Sequence, residues 1–185
     1  SLPALTGKSP QRHDGRAMGA GKDLDCSFPF KVPPALSWRE GSRYFGAPRA
    51  KGRKHGGCDL IKPEYTTIYA VHDGVLVHEE VHFYLGTYYV TYQHGPFLCR
   101  YAEIQRGSST RKKRGQTIKK GEPLPKVGLM NGYKAGGARG HMLHFEMFAK
   151  GSDHTPVRSN RGPYMRPAGV MDPATYLHDW VNRLP

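Results

Sequence analysis

Two short segments of this 185-residue chain carry side chains that could bind a metal ion. The first runs from His55 through Gly-Gly-Cys to Asp59, and the second, from Met142 to Glu146, contains His144. Two histidines and one aspartate form a three-ligand set typical of catalytic zinc, whereas structural zinc sites usually close with four Cys or His ligands. The pair of segments therefore indicates a hydrolase that uses a zinc-activated water.

The spacing within each segment predicts how its side chains face the ion. The two glycines between His55 and Asp59 disfavour a helix, so we expect a bent loop that leads into a strand. Side chains alternate along a strand, so His144 shares one face with Met142 and Glu146. Glu146 is then either a hydrogen-bond partner that orients a ligand or a solvated carboxylate.

The elements that must position these residues are predicted to be mostly strands. Runs of β-branched and aromatic residues between turn residues predict strands at residues 66–71, 74–78, 88–93, 97–104, 124–127 and 142–148. Asp172 and Pro173 predict a helix start, with Asp as N-cap and Pro at the first helical position, and a helix over residues 174–182. We therefore expect a mainly β fold with an antiparallel sheet and a short C-terminal helix.

The N-terminal part differs in composition from the rest of the chain. Residues 1–35 are rich in Gly, Pro, Ser and charged residues, which predicts a flexible or extended arm ahead of one domain at residues 36–185. The chain contains no run of 18 apolar residues, so no transmembrane helix is expected. No signal peptide is recognisable at Ser1.

Three motifs, taken in order, resemble those of the lysostaphin/LytM-like zinc metallopeptidases. They are RKHGGCDL at residues 53–60, IYAVHDGVL at residues 68–76 and LHFE at residues 143–146. The resemblance extends over about residues 40–180. It implies a LytM-like sheet with an open groove, Zn²⁺ held by His55, Asp59 and His144, and an endopeptidase that cuts peptidoglycan. It also implies a secreted or periplasmic protein that acts at the bacterial cell wall.

The chain departs from this family pattern at the two positions where histidines should transfer protons. Met142 stands where the first His of a His-x-His motif is expected, and Glu103 stands where the His of a Tyr-x-His motif is expected. His141 is adjacent to the first position, but alternation points it to the other face unless a bulge intervenes.

Two interpretations of Glu103 remain open. In the first, its carboxylate is the general base of an active enzyme. The sequences RYAE at residues 100–103 and MLHFE at residues 142–146 resemble a subgroup that includes cell-wall-degrading effectors of secretion systems. That resemblance implies an antibacterial role and allows an immunity or inhibitor protein as a partner. In the second interpretation, the domain binds zinc and wall peptides without cutting them, or regulates another hydrolase.

Two further residues are candidates for the catalytic site. His94 is predicted as an auxiliary acid or oxyanion stabiliser, with a turn residue bonded to the backbone as the alternative. Tyr101 is predicted to donate a hydrogen bond to a developing oxyanion, with a packing role as the alternative. The aromatic-rich strands and the glycine-rich loop at residues 132–140 are expected to line the peptide groove.

The net charge of +13 requires an anionic partner. Nucleic acid is the usual anionic partner of a protein with this charge, and the anionic cell wall of bacteria is an alternative partner. Nucleic-acid binding leaves the metal motifs unexplained, so we expect a peptidoglycan substrate, no nucleic acid and no membrane insertion. The three cysteines allow a Cys58–Cys99 disulfide in an oxidising compartment, or free buried thiols.

Overall fold

The computed structural model describes residues 24–107, 112–131, 140–152 and 162–185. Most of the predicted arm, the glycine-rich loop at 132–139 and His154 lie outside these residues. In the described part of the chain, no helix is long and apolar enough to cross a membrane.

The fold consists of nine short strands, one α-helix and one 3₁₀ turn at Ala50–Gly52 in the described residues. They are β1 (Cys58–Leu60), β2 (Thr67–Tyr69), β3 (Gly74–His82), β4 (Tyr88–His94), β5 (Phe97–Ile104), β6 (Thr117–Ile118), β7 (Pro123–Lys126), β8 (Leu143–Ala149), β9 (Val170–Met171) and α1 (Ala174–Trp180). The predicted mainly β class is confirmed. Strands β6 and β9 were not predicted, because two residues are too few to show a period.

The strands form two antiparallel sheets. The larger sheet has the order β1-β8-β5-β4-β3-β6, with β9 also paired to β8, and the smaller sheet pairs β2 with β7. Strand β8 lies between β5 on one side and β1 and β9 on the other. The interior strand β8 therefore carries one of the two motifs, and the neighbouring β1 carries the end of the other.

The register of these strands separates two faces of the sheet. His144 lies opposite Asp59 of β1 and opposite Ala102 of β5, so the three side chains share one face, here called the site face. Phe145 lies opposite Tyr101, and their rings are in contact with centroids 5.5 Å apart. These aromatic side chains belong to the other face, the core face.

The core face is covered by the C-terminal helix. Trp180 is fully buried and stacks on Phe97. The helix begins where the sequence predicts, because the carboxylate of Asp172 accepts a hydrogen bond from the backbone N–H of Ala174 at 2.8 Å. Burying these large aromatic surfaces stabilises the sheet beneath the site.

The described end of the predicted arm packs against the domain. Phe28 and Phe30 are fully buried in the core. The N–H of Ser27 donates to the carbonyl of Val71 at 2.8 Å. Residues 24–30 thus contribute to the core that supports the sheet.

All three cysteines are free and buried. Cys58 on β1 and Cys99 on β5 lie on opposite sides of β8. Two strand spacings of about 4.8 Å separate their backbones by about 10 Å, beyond the reach of a disulfide. The Cys58–Cys99 disulfide is therefore excluded by the sheet order.

Candidate functional site

The site face brings three potential metal ligands together. His55 Nε2 lies 3.0 Å from Asp59 Oδ1 and 3.1 Å from His144 Nδ1, and the latter two atoms are 2.9 Å apart. Tetrahedral zinc with bonds of about 2.0–2.1 Å separates its ligand atoms by about 3.3 Å. These three residues could therefore hold one metal ion with little movement.

Each histidine has its other ring nitrogen bonded to an oxygen atom. His55 Nδ1 lies 2.9 Å from the carbonyl of Tyr44, and His144 Nε2 lies 2.8 Å from Glu146 Oε1. An N–H that donates to each oxygen leaves the lone pairs of His55 Nε2 and His144 Nδ1 directed at the cluster. Such partners fix the tautomer and orientation that a metal ligand needs.

Glu146 is the centre of a buried charge network. Its side chain is fully buried, and it accepts hydrogen bonds from Arg100 Nη1 at 3.0 Å and from Arg166 Nε at 2.7 Å. Although burial would raise the pKa of Glu146, the two guanidinium groups and His144 hold it well below its usual range. Glu146 was expected to be either a hydrogen-bond partner of a ligand or a solvated carboxylate. In the structure it is the hydrogen-bond partner of His144.

The charges within the cluster are also coupled. Burial alone would raise the pKa of Asp59, but hydrogen bonds with the two histidines lower it to about 2. Burial alone would lower the pKa of His144, but its bonds to Asp59 and Glu146 raise it to about 9, so without an ion the ring carries protons on both nitrogens and a bound ion would displace the one on Nδ1. The carboxylate ligand is therefore ionised at neutral pH, as metal binding requires.

Gly57 allows the loop of the first motif to approach β8. A Cβ atom at this position would lie 2.5 Å from the carbonyl oxygen of Phe145 and 3.1 Å from His144 Cε1. The second glycine of the motif therefore meets a steric requirement, since a larger residue would push the loop away from His144.

Glu103 reaches the same groove through a break in strand regularity. Tyr88 pairs with Ile104 and Tyr89 with Ala102, so Glu103 is an extra residue between two rungs of the β4–β5 ladder. Its φ of 60° lies in the left-handed region, which is uncommon for a residue other than glycine. Strict alternation would place the Glu103 side chain on the core face beside Tyr101. The β-bulge directs it to the site instead.

The environment of Glu103 suits a group that exchanges protons. The residue is 8% exposed, and its Oε2 has no hydrogen-bond partner in the described structure. Burial raises the pKa of Glu103 to about 7. A general base performs best with a pKa near the working pH, and backbone strain is often found at functional residues.

The cluster opens into a groove of about 690 Å³. The groove is lined by His55, Asp59, His144 and Glu103, together with cationic and apolar side chains. The cationic lining residues are Arg43, Arg49, Arg53, Lys54 and Arg166, and the apolar or aromatic ones include Phe83, Tyr84, Met130, Met142 and Tyr164.

His94 and Tyr101 do not reach this groove. Both are fully buried on the core face, where the Tyr101 hydroxyl lies 2.9 Å from His94 Nε2. Burial lowers the pKa of His94 to about 4, so the ring is neutral and its Nδ1–H donates to the carbonyl of Asp73. The register explains the placement, because Tyr101 lies opposite Phe145 and not opposite His144. In this structure the two residues have the alternative roles, backbone bonding and packing.

The structure also places the two residues beside the unusual His-x-His position. Met142 lines the groove, on the same side as His144. His141 turns away, with its Nδ1 2.7 Å from the carbonyl of Lys62. No bulge therefore brings His141 to the cluster.

The aromatic residues of the groove differ from those expected. The strand residues Tyr92, Tyr101 and Phe145 belong to the buried core, whereas Phe83 and Tyr84 come from the turn between β3 and β4. The Phe83 ring stacks on the His144 ring with centroids 5.5 Å apart. A turn residue gives no strand pattern, so the sequence contained no signal for this contact.

Comparisons with known proteins agree with this geometry. A model of Peptidase family M23 matches residues 53–156, which is more than half of the chain. Peptidoglycan DD-endopeptidase ShyA from Vibrio cholerae serotype O1 is 32% identical over 107 residues, which cover 57% of this chain and 23% of ShyA. The chain thus spans less than a quarter of that relative.

Two solved structures share the fold. The catalytic domain of lysostaphin from Staphylococcus simulans has a TM-score of 0.52 at 21% identity, over 75% of this chain and 90% of that one. CbpA from L. salivarius REN has a TM-score of 0.53 at 15% identity, over 84% and 97%. The predicted resemblance to lysostaphin-like peptidases is therefore confirmed in fold and family.

Proposed function

The chain belongs to peptidase family M23, and from that premise we propose that it is a zinc-dependent endopeptidase that hydrolyses peptide cross-links of peptidoglycan. The observation that carries the proposal is the cluster of His55, Asp59 and His144 in a groove that also contains the buried carboxylate of Glu103. Ligands, an acid–base group and room for a peptide occur together. The similarity to a peptidoglycan DD-endopeptidase supports the choice of substrate.

The donor set fits zinc. Two imidazoles and one carboxylate are ligands that zinc accepts, and three protein ligands leave a position for chemistry. When bound, zinc would supply a Lewis acid that polarises the scissile carbonyl and lowers the pKa of water. The protein's part is to hold His55 and His144 in the required tautomers through Tyr44 and Glu146.

Glu103 is the proposed general base. Its carboxylate accepts a proton from the water whose oxygen bonds to the carbonyl carbon. It then donates that proton to the amine nitrogen as the carbon–nitrogen bond breaks. Burial beside the ligands and an oxygen without a partner in the described structure support this role. A carboxylate thus does the work for which other family members use histidine.

One observation favours a second candidate, a module that binds zinc and wall peptides without cutting them. Both proton-transferring histidines of the family pattern are absent, with Met142 and Glu103 in their places. His141 does not compensate, since its ring bonds to the carbonyl of Lys62. This candidate predicts stoichiometric zinc binding without turnover.

The proposed substrate implies action outside the cytoplasm. We propose that the protein is secreted or periplasmic and, from the resemblance of RYAE and MLHFE to a subgroup of secretion-system effectors, that it serves as an antibacterial enzyme. An immunity or inhibitor protein would then be its partner. The net charge of +13 supports contact with an anionic wall.

The test is digestion of purified Gram-negative peptidoglycan followed by mass spectrometry of the products. Four samples are compared: the wild type, the wild type with a zinc chelator, Glu103→Gln, and the exposed-carboxylate control Glu79→Gln. We expect cleavage of cross-linked dimers to monomers in only two of the four samples, the untreated wild type and Glu79→Gln. Intact sacculi of several cross-link types, with zinc bound stoichiometrically, would instead establish the binding module.

A further inference from the structure

The groove has more cationic than anionic lining residues, and the inference drawn from this excess deepens the proposed function, on which it rests. We propose that the enzyme selects cross-linked peptides that keep a free carboxylate near the scissile bond, and that Arg49 and Arg53 bind this carboxylate. The substrate class is an acidic peptide, in contrast to an amidated or glycine-only cross-link.

The cations of the groove outnumber its carboxylates. Five of the lining residues are Arg or Lys, and two, Asp59 and Glu103, carry carboxylates. Asp59 is already engaged by the two histidines, and one of the five cations, Arg166, is bonded to buried Glu146. A bound dication would add further positive charge. An anionic group on the substrate is the complement to this surface.

The cationic side chains are positioned by a fixed loop. The backbone N–H of Arg49 donates to the carbonyl of Arg53 at 2.8 Å, and the N–H of His55 donates to Ala47 at 2.9 Å. Lys54 N–H donates to the carbonyl of Pro163 at 2.7 Å, which ties the loop to the domain. The loop that presents the arginines therefore ends directly at the first metal ligand.

The guanidinium groups retain N–H donors beyond those already used. Arg49 Nη2 donates to the carbonyl of Ser42 and Nη1 to the carbonyl of Pro48 at 3.3 Å, and Nη2 also lies 3.8 Å from Asp59 Oδ2. Arg53 donates through Nε to the carbonyl of Ala50, and its Nη1 lies 3.6 Å from the sulfur of Met165. Arg53 has no carboxylate partner in the described structure. Planar guanidinium groups bind carboxylates in a bidentate way, which gives both strength and direction.

Both arginines would contact the substrate from the loop that leads to His55. Arg49 Nη2 lies 3.8 Å from Asp59 Oδ2, so Arg49 would contact a carboxylate next to the bond that is cut. Arg53 is exposed on the same loop and lines the same groove. The apolar lining residues, which include Phe83 and Met142, would receive uncharged aliphatic parts of the peptide.

The experiment compares two forms of one substrate. Cross-linked muropeptide dimers from Gram-negative peptidoglycan are used as isolated, and after conversion of their free carboxylates to carboxamides with carbodiimide and ammonia. We expect amidation to raise KM at least tenfold with a smaller change in kcat. Arg53→Gln should raise KM about tenfold for the free form and leave the amidated form unchanged, and Arg53→Lys should recover part of the loss.

Two controls separate this inference from the proposed function. Lys150→Gln removes an exposed cation that directly follows the C-terminal end of β8. This variant should leave KM unchanged for both forms of the substrate. Binding of both dimers to zinc-loaded Glu103→Gln, measured by calorimetry, gives a readout without turnover. Equal binding and equal cleavage of the two forms would overturn the carboxylate subsite while the endopeptidase stands. Preferential binding of the free form without cleavage by the wild type would overturn the endopeptidase and leave the subsite.

Discussion

His144 Nε2 and Glu146 Oε1 lie 2.8 Å apart on the same face of β8, two residues from each other. The strand itself therefore supplies both a metal ligand and the group that orients it. Because Glu146 is also bonded to Arg100 and Arg166, its carboxylate cannot turn away from the histidine without weakening its ion pairs with both guanidinium groups.

Glu146→Gln is expected to weaken zinc binding by about 10- to 100-fold, because the amide holds the His144 N–H less strongly than the carboxylate does. It should also destabilise the fold by about 3–5 kcal/mol, since the arginines lose their counter-charge. Competition with a fluorescent chelator measures the first effect, and urea unfolding the second. The control Glu79→Gln removes an exposed carboxylate. Unchanged zinc affinity in Glu146→Gln would show that His144 is oriented by other contacts.

Gly57→Ala is expected to displace the loop of the first motif from β8. The new methyl group would meet the Phe145 carbonyl at 2.5 Å, a backbone atom that cannot rotate aside. We expect a loss of stability of about 1–3 kcal/mol and weaker zinc binding. Gly52→Ala separates the two possible costs, because a Cβ there meets nothing within 4 Å while its φ of +72° strains the backbone, so this variant reports backbone strain without a steric clash. If Gly57→Ala binds zinc as the wild type does, the close approach is not needed for the site.

His94 should make stability depend on pH. Its folded pKa of about 4 lies below the unfolded value of about 6.5, so the unfolded chain takes up a proton first. The free energy of unfolding should therefore be fully retained above pH 6.5. It should fall by about 3 kcal/mol between pH 6.5 and 4. Urea unfolding across this range, compared with His94→Gln, isolates the effect. Parallel pH profiles for the two proteins would exclude it.

The sequence predicted the metal cluster more readily than the rest of the site. Alternation along a strand is enough to place His144 and Glu146 together, and the glycines of the first motif indicate a bent loop. Glu103 is different: alternation puts it beside Tyr101, and only the bulge with its left-handed φ directs it to the groove. A glycine would have indicated such a bulge, whereas a glutamate gives no local sign of it.

The second gap between sequence and structure concerns direction in loops. The arginines before His55 are visible in the sequence, but no period relates loop side chains to a face. The positions of Phe83 and Arg166 at the site could not be predicted for the same reason. Phe83 lies in a turn, and Arg166 lies in a segment distant in the chain. Tyr101 was predicted to donate a hydrogen bond to a developing oxyanion, with packing as the alternative, and the alternation of β5 directs its side chain to the core face opposite Phe145.

The pairing of Asp59 with His144 has a further consequence for local order. Strand β1 has three residues and stands at the end of the sheet order, where few ladder bonds retain it. An ion bound by both residues would join the rung as a cross-strand staple. Removal of the ion would let β1 fray at the edge of the sheet and would displace the loop that contains Arg49 and Arg53. The ion would then govern the shape of the peptide groove as well as the chemistry. Hydrogen exchange would reveal this as faster exchange of the Cys58–Leu60 amides after chelation, with the β4 and β5 amides still protected.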